Sequence, residues 1–229
     1  MSKLVLVSIG FDVNLVLRSL LKIGLGDGDV VLLLYSRSGG EYEQRRVEEA
    51  VKTIKGILAG TRVEHYEVVI TGMDFVSDVA AIVRALRELG RKRIVASLVG
   101  GMRIAIIGAI VALVLYKRFV DADVEVYIHA MREDGIYDVF IPLLVLNPPE
   151  LGPRELSFLE KLGGGLAGEP RSEIVSKLSR EMEITESMAY KVLENLEDKG
   201  LVNVRNSTVE LTLLGTLVLA AYQQARKAG

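Results

Sequence analysis

Through its first 146 residues the chain alternates strand-like apolar runs with segments of helical period. This rhythm leaves little freedom: it is the pattern of a mainly parallel sheet covered by helices. It predicts strands at 3–9, 30–35, 63–70 and 93–99, with helices at 13–23, 41–58, 75–89 and 103–119 between and after them. In the third helix Val76, Val79, Ile82, Val83 and Leu86 mark the apolar positions. The rhythm then changes, and two strand runs, 124–131 and 137–146, flank Arg132-Glu133-Asp134-Gly135. An Asp-Gly pair favours a tight hairpin, so the sheet is expected to end in an antiparallel edge pair.

Asn147-Pro148-Pro149 ends this region, because two prolines continue neither a helix nor a central strand. The boundaries read from this are a first domain over 1–149 and a second over 150–229. The second part predicts helices at 153–162, 171–180 and 185–199. Two short strands follow at 201–204 and 209–212 around Arg205-Asn206-Ser207, then a last helix at 213–227 carrying Leu213, Leu217, Ala220 and Ala221 on one face. Three helices followed by a two-stranded ribbon is the order of a winged helix-turn-helix.

Composition excludes several chemistries. Half the residues are hydrophobic and a quarter charged, which makes the chain globular. With no cysteine, disulfides and thiolate chemistry are excluded, which fits a reducing cytoplasm. Sparse Asn and Gln, with absent Cys, lean towards a thermophilic source. The two histidines, His65 and His129, are too far apart in sequence to suggest a metal site, and His65, in a strand-like stretch, reads as structural. No cleavable signal pattern opens the chain. The apolar run 104–116 is shorter than the ~20 residues that cross a bilayer, so it reads as a helix buried on nearly every side. No Ser-His-Asp arrangement, metal cluster or paired carboxylate stands out, and the chain is read as a non-enzyme.

The candidate binding residues cluster at strand ends. Glycine-rich turns at the carboxyl edge of a parallel sheet open helices whose free N–H groups favour anions. One such turn is Ser8-Ile9-Gly10-Phe11-Asp12, with Arg18 further along its helix. The other is Val99-Gly100-Gly101-Met102-Arg103, where Arg103 can add a charge-assisted bond to phosphate. Ser36 and Arg37 after the second strand, and Met73 after the third, complete the rim. Alternatively the glycines only form turns, Asp12 is a plain N-cap and Arg18 pairs with an acidic neighbour. The conjunction favours a site, because the first and fourth strands of a doubly wound sheet are neighbours at its switch point. Gly24-Leu25-Gly26-Asp27-Gly28 follows a helix and precedes a strand, the reverse of a nucleotide cradle, and reads as a connecting loop.

In the second part, residues 182–185 break two helices and Thr185 can cap the next, which turns Met188, Val192, Leu193 and Leu196 inward. Its other side shows Ser187, Tyr190, Lys191, Glu194 and Asn195. Ser187, Tyr190, Lys191 and Asn195, with Arg205 and Asn206 of the wing, are the candidate DNA contacts. The stretch ENLEDKGLVNV, residues 194–204, resembles the close of many winged-helix regulators. Charge opposes this reading: from Glu150 onward there are 10 Lys and Arg against 12 Asp and Glu, whereas DNA-binding domains carry a basic surplus. A winged helix can also serve only as a protein-interaction or dimerisation module.

Taken together, GFD-x5-R from Gly10 to Arg18, GGMR at Gly100–Arg103 and a C-terminal winged helix resemble the archaeal CRISPR-associated Rossmann-fold regulators, the CARF-type transcription factors. The resemblance spans both parts. It implies a Rossmann-like ligand-sensing domain and a DNA-binding domain in a cytoplasmic homodimer, with one symmetric pocket for a cyclic oligoadenylate, foremost the tetra-adenylate, and no cofactor. Ligand binding would alter the grip of the winged helices on double-stranded DNA at promoters of CRISPR genes. The strongly apolar fourth helix fits a dimer interface, or else packs between sheet and neighbours. Some members cleave their ring, using the ribose 2′-hydroxyl as nucleophile with positioning residues such as Ser8 or Arg103. A nicotinamide-sensing repressor is a third reading. It predicts GxGxxG after the first strand, where this chain has SIGFDVN.

Overall fold

The computed structural model describes residues 2–37, 40–132 and 136–227, with side chains through residue 223. Contacts divide the chain into two units, Met1–Leu143 and Leu144–Gly229.

In the first unit five strands run parallel: β1 (Leu4–Ser8), β2 (Val30–Ser36), β3 (Glu64–Ile70), β4 (Arg93–Ser97) and β5 (Glu125–Met131). A sixth, β6 (Asp138–Pro142), runs antiparallel to β5, and the order across the sheet is β3-β2-β1-β4-β5-β6. Helices α1 (Val13–Ile23), α2 (Glu41–Ala59), α3 (Phe75–Leu89) and α4 (Arg103–Phe119) make the connections. Alternation along the central strands builds two cores. Leu4, Leu6, Leu32, Leu34, Ile94 and Ala96 pack with α3 and α4, while Val5, Val7, Val31 and Leu33 pack with α1 and α2. This is the expected Rossmann-like sheet with an antiparallel edge.

Some elements differ from the sequence reading. The sixth strand stops at Pro142, whose missing N–H cannot extend the ladder, and Leu143–Leu146 turn into a 3-10 helix. The expected Asp134-Gly135 hairpin turn lies outside the described residues. Val76 of α3 faces solvent, 77% exposed, because Asp74 caps the helix through the N–H groups of Val76 and Ser77 and sets Val76 on its outer face. In α4 the buried stripe is mostly small, Ala105, Gly108, Ala109 and Ala112, with Leu113 and Tyr116, which lets the helix lie close to α3. Ile107 and Phe119 remain exposed, so α4 is not covered on every side.

The loop after α1 is held from within. The Asp29 carboxylate accepts from Lys3 N at 2.8 Å, Lys3 Nζ at 2.7 Å and Gly26 N at 2.9 Å. The glycines at 24, 26 and 28 thus belong to an αβ connection, with φ of 67° at Gly24 and 80° at Gly28.

The second unit contains α5 (Pro153–Lys161), α6 (Arg171–Glu181), α7 (Glu186–Asp198), strands β7 (Val202–Arg205) and β8 (Thr208–Leu211), and α8 (Leu213–Lys227). Phe158, Leu159, Ile174, Leu178, Leu193, Leu196, Leu201 and Val209 form its core. Between α6 and α7 the chain turns through Glu183 at φ 52°, and Thr185 Oγ1 accepts from Met188 N at 3.2 Å. The wing is a two-residue hairpin with Asn206 and Ser207 at φ 50° and 65°, the left-handed geometry of a type I′ turn. On α7, Ala189 rather than Met188 is buried, because the cap at Thr185 rotates Met188 outward, 38% exposed. On α8 the face carrying Leu213, Leu217, Ala220 and Ala221 is exposed. A side chain at Gly215 would collide with Leu201 O, so that glycine, with Leu214 and Leu219, faces the core.

Burial raises the Asp29 carboxyl, but hydrogen bonds from Lys3 and Gly26 outweigh it and hold it below the usual carboxylate range. A depressed folded value means a stabilisation present above the unfolded pKa of ~3.9 and lost as pH falls through the folded value. Denaturant melts of Asp29→Asn at pH 7 are expected to show a loss of about 1–3 kcal/mol. The gap from wild type should narrow as pH drops below ~3.9.

Candidate functional site

Parallel pairing of β1 with β4, Val7 opposite Ser97, sets the two glycine turns side by side at the carboxyl edge. The turns touch backbone to backbone. A methyl group on Gly10 would collide with Gly101 N, one on Gly100 would lie 2.9 Å from Gly10 N, and one on Gly101 would lie 2.9 Å from Ile9 O. Gly101 also has φ 95°, a conformation that suits glycine. These glycines are therefore required first by the mutual approach of the turns. Gly100 N already donates to Ser8 Oγ at 3.3 Å, so it is engaged within the protein.

Above the paired turns lies a cavity of about 330 Å³ lined by Ile9, Gly10, Phe11, Ser36, Glu43, Val47, Gly101, Met102 and Arg103. Gly10, Phe11, Ser36, Gly101, Met102 and Arg103 are thus brought together. The other candidates lie elsewhere. Ser8 is fully buried beneath the turn, Gly100 packs on Gly10, and Met73 is 88% exposed at the start of α3. Asp12 accepts from Asn14 N and Leu15 N as the N-cap of α1, and Arg18 lies within that helix. Arg37 lines a separate concavity with Tyr35, Glu48, Lys52, Lys55 and Glu67. There Glu67 accepts from Lys55, which foremost holds its carboxyl down, and from Tyr35.

Helix capping separates the two turns electrically. The N-terminus of α1 is occupied by the Asp12 carboxylate, whereas α4 is preceded by Met102 at the N-cap position, without a side-chain cap among the described residues. Met102 and Arg103, whose guanidinium forms no ion pair among the described residues, line the cavity at this helix end. An anion placed there gains both helix-end donors and a fixed charge.

Glu43, Val47 and Ile9 were not singled out from the sequence. Glu43 and Val47 are one turn apart on α2, a helix whose charged pattern reads as a solvated face. Only the crossover from β2 brings them over the β1 turn.

A Ser, His and Asp that no local pattern marks are nevertheless brought together by the fold. His129 Nδ1 lies 3.1 Å from Ser19 Oγ, and Nε2 lies 3.2 Å from Asp138 Oδ2, while Ser19 also contacts Ser97. The His129 contact foremost holds the Asp138 carboxyl below its ordinary value. Ser19, Ser97 and His129 are all fully buried, so no substrate reaches the hydroxyls, and the chain of bonds ties α1 to β4, β5 and β6. Residues 19, 129 and 138 are joined only by the sheet order, which no local motif records.

In the second unit Ser187, Tyr190, Lys191 and Asn195 are exposed along α7, and Arg205 and Asn206 lie exposed at the wing tip. Arg154 at the start of α5 donates to Met188 Sδ at 3.6 Å. It shares with Lys191 and Asn195 a groove of about 590 Å³. Several of its charges are engaged internally, one cation for each carboxylate: Lys161–Glu181, Lys177–Glu169, Lys199–Glu155 and Arg171–Glu194 are ion pairs. Arg171 also stands over the Tyr190 ring at 5.3 Å. Among the described residues Lys191 and Arg205 form no ion pair, which leaves cations on the helix and on the wing.

Residues 3–139 match the family model of the Csa3 CRISPR-associated Rossmann-like domain, and residues 169–221 match that of TrmB, the sugar-specific transcriptional regulators. No curated protein matches the chain. Among solved structures, that of Can2 from Sulfobacillus thermosulfidooxidans in complex with cyclic tetra-adenylate is similar over 98% of this chain, at 10% identity and a TM-score of 0.39. This chain spans 65% of that one. With more than half of its length in the first match, the chain belongs to the Csa3 CRISPR-associated Rossmann-like domain family, joined here to a winged helix-turn-helix of TrmB type.

Proposed function

We propose that the protein is a transcription regulator of CRISPR-associated genes whose first domain, residues 1–149, binds a cyclic oligoadenylate and whose second, residues 150–229, binds double-stranded DNA. The observation that carries the ligand reading is the cavity at the β1 and β4 turns, bordered by the uncapped start of α4 and by Arg103. A phosphodiester at Arg103 would receive charge-assisted hydrogen bonds. A ring of four nucleotides suits a site made twice by a two-fold dimer, so cyclic tetra-adenylate is the favoured ligand. Cleavage of the ring finds less support, because Ser8 is buried with its Oγ held by Gly100 N.

Support for a homodimer comes from α4, where Ile107, Leu115 and Phe119 present exposed apolar surface at helical spacing. Support for DNA binding comes from the unneutralised Lys191 and Arg205 beside exposed polar groups. The modest charge accords with few phosphate contacts and weak affinity.

Three outcomes are expected. Calorimetric titration with cyclic tetra-adenylate should show affinity falling about 10- to 100-fold in Arg103→Ala, as expected for loss of a charged hydrogen-bond partner. Equal affinity, or no binding by wild type, would sink the ligand reading. In anisotropy titrations of duplex DNA, Lys191→Ala should weaken binding and flatten the log–log salt slope by about 0.9 for each phosphate that the variant leaves unneutralised; an unchanged slope removes Lys191 from the interface. Sedimentation of Ile107→Asp should shift the wild-type dimer towards monomer, and a variant that sediments as wild type places the interface elsewhere.

A further inference from the structure

The cavity at the glycine turns contains one group that an anion receptor does not need. Glu43, in the first turn of α2, lines it together with Gly101, Met102 and Arg103, and a Cβ at Gly40 would lie 2.8 Å from its Oε2, at the start of its own helix. Among the described residues Glu43 makes no hydrogen bond or ion pair, which leaves its oxygens able to accept from a ligand. A carboxylate repels phosphate and accepts only from donors. Its place in the cavity therefore calls for a part of the ligand that is uncharged and carries N–H.

A second observation concerns flat surface. Phe11 lines the same cavity and is 46% exposed, while the Arg46 guanidinium, which does not line the cavity, stands 4.6 Å from its ring centroid. Arg46 also lies 5.8 Å from the Tyr42 ring. Residues 42 and 46 are one helical turn apart, so α2 sets the guanidinium within reach of both rings and braces one face of Phe11. Braced in this way, an exposed aromatic ring offers a surface on which a nucleobase stacks.

We infer that Glu43 and Phe11 form a base subsite: Phe11 stacks a nucleobase and Glu43 accepts from its exocyclic amino group, so the pocket selects amino-bearing bases over their oxo counterparts. The inference rests on the nucleotide reading of this cavity and adds to it a residue that sets base preference. The carboxylate and guanidinium divide the ligand between them, with the amino edge of the base at α2 and the phosphate at α4. In the oxo base a carbonyl oxygen would face the carboxylate, acceptor against acceptor, which is disfavoured.

The test uses cyclic tetra-adenylate and cyclic tetra-inosinate, obtained from it by deamination, titrated against full-length wild type, Glu43→Gln and Phe11→Leu. Wild type should prefer the adenylate ring by about tenfold. Glu43→Gln, whose amide both donates and accepts, should narrow that preference and gain affinity for the inosinate ring. Phe11→Leu should weaken both rings and leave their ratio unchanged. Equal binding of both rings by wild type, or a ratio unmoved in Glu43→Gln, overturns the base subsite while leaving the ring-sensor reading in place. No binding of either ring by wild type overturns both. Glu43 is exposed on a helix surface, and matching melting temperatures of variant and wild type show that any change belongs to the site.

Discussion

The close approach of two backbone turns at the β1 and β4 strand ends is the interaction on which the first unit depends. It requires adjacent parallel strands, Val7 beside Ser97, and it requires that Gly10, Gly100 and Gly101 carry no side chain. Any Cβ at Gly10 or Gly101 would meet the opposing backbone, so the turns could not close over one another. Their closure makes the cavity floor, aligns the start of α4 with it and buries Ser8 beneath. Gly10 and Gly101 thus serve the mutual approach of the turns and also line the cavity, whereas Gly100 serves the approach alone.

Capping then decides which helix end is open to an anion. Asp12 and Asp74 supply carboxylates to the starts of α1 and α3, satisfying N–H groups that otherwise seek a partner. Helix α4 is preceded by Met102 at the N-cap position, whose side chain supplies no such cap, so Arg103 and the helix end act in the same direction. Glu43 lines the same cavity, so groups of both signs border it.

The second unit shows why net charge is a blunt guide to an interface. Its carboxylates outnumber its cations, yet among the described residues ion pairs engage several of both, and Lys191 and Arg205 are left without one on the helix and wing. Arg171 is spent on Glu194 and Tyr190, which stiffens the junction of α6 and α7 rather than adding to the positive surface. Exposure of Met188 follows from the Thr185 cap, since the cap sets the rotation of the helix about its axis.

Local pattern in the chain was enough to determine the strands and helices of the sheet, the antiparallel edge, the glycine turns and the helix, helix, helix, ribbon order of the second unit, because period and turn chemistry are short-range properties. It was also enough to single out Gly10, Phe11, Gly101 and Arg103, since strand-to-helix turns at a switch point are recognisable along the chain. Tertiary structure alone decided that Ser8, Asp12 and Gly100 hold the scaffold while Glu43 and Val47 enter the cavity, and that Ser19, His129 and Asp138 meet in a buried line. The reason is distance in sequence. Crossover connections bring together side chains up to 119 positions apart, and which face of a helix meets which strand is set by packing and capping that no single segment encodes.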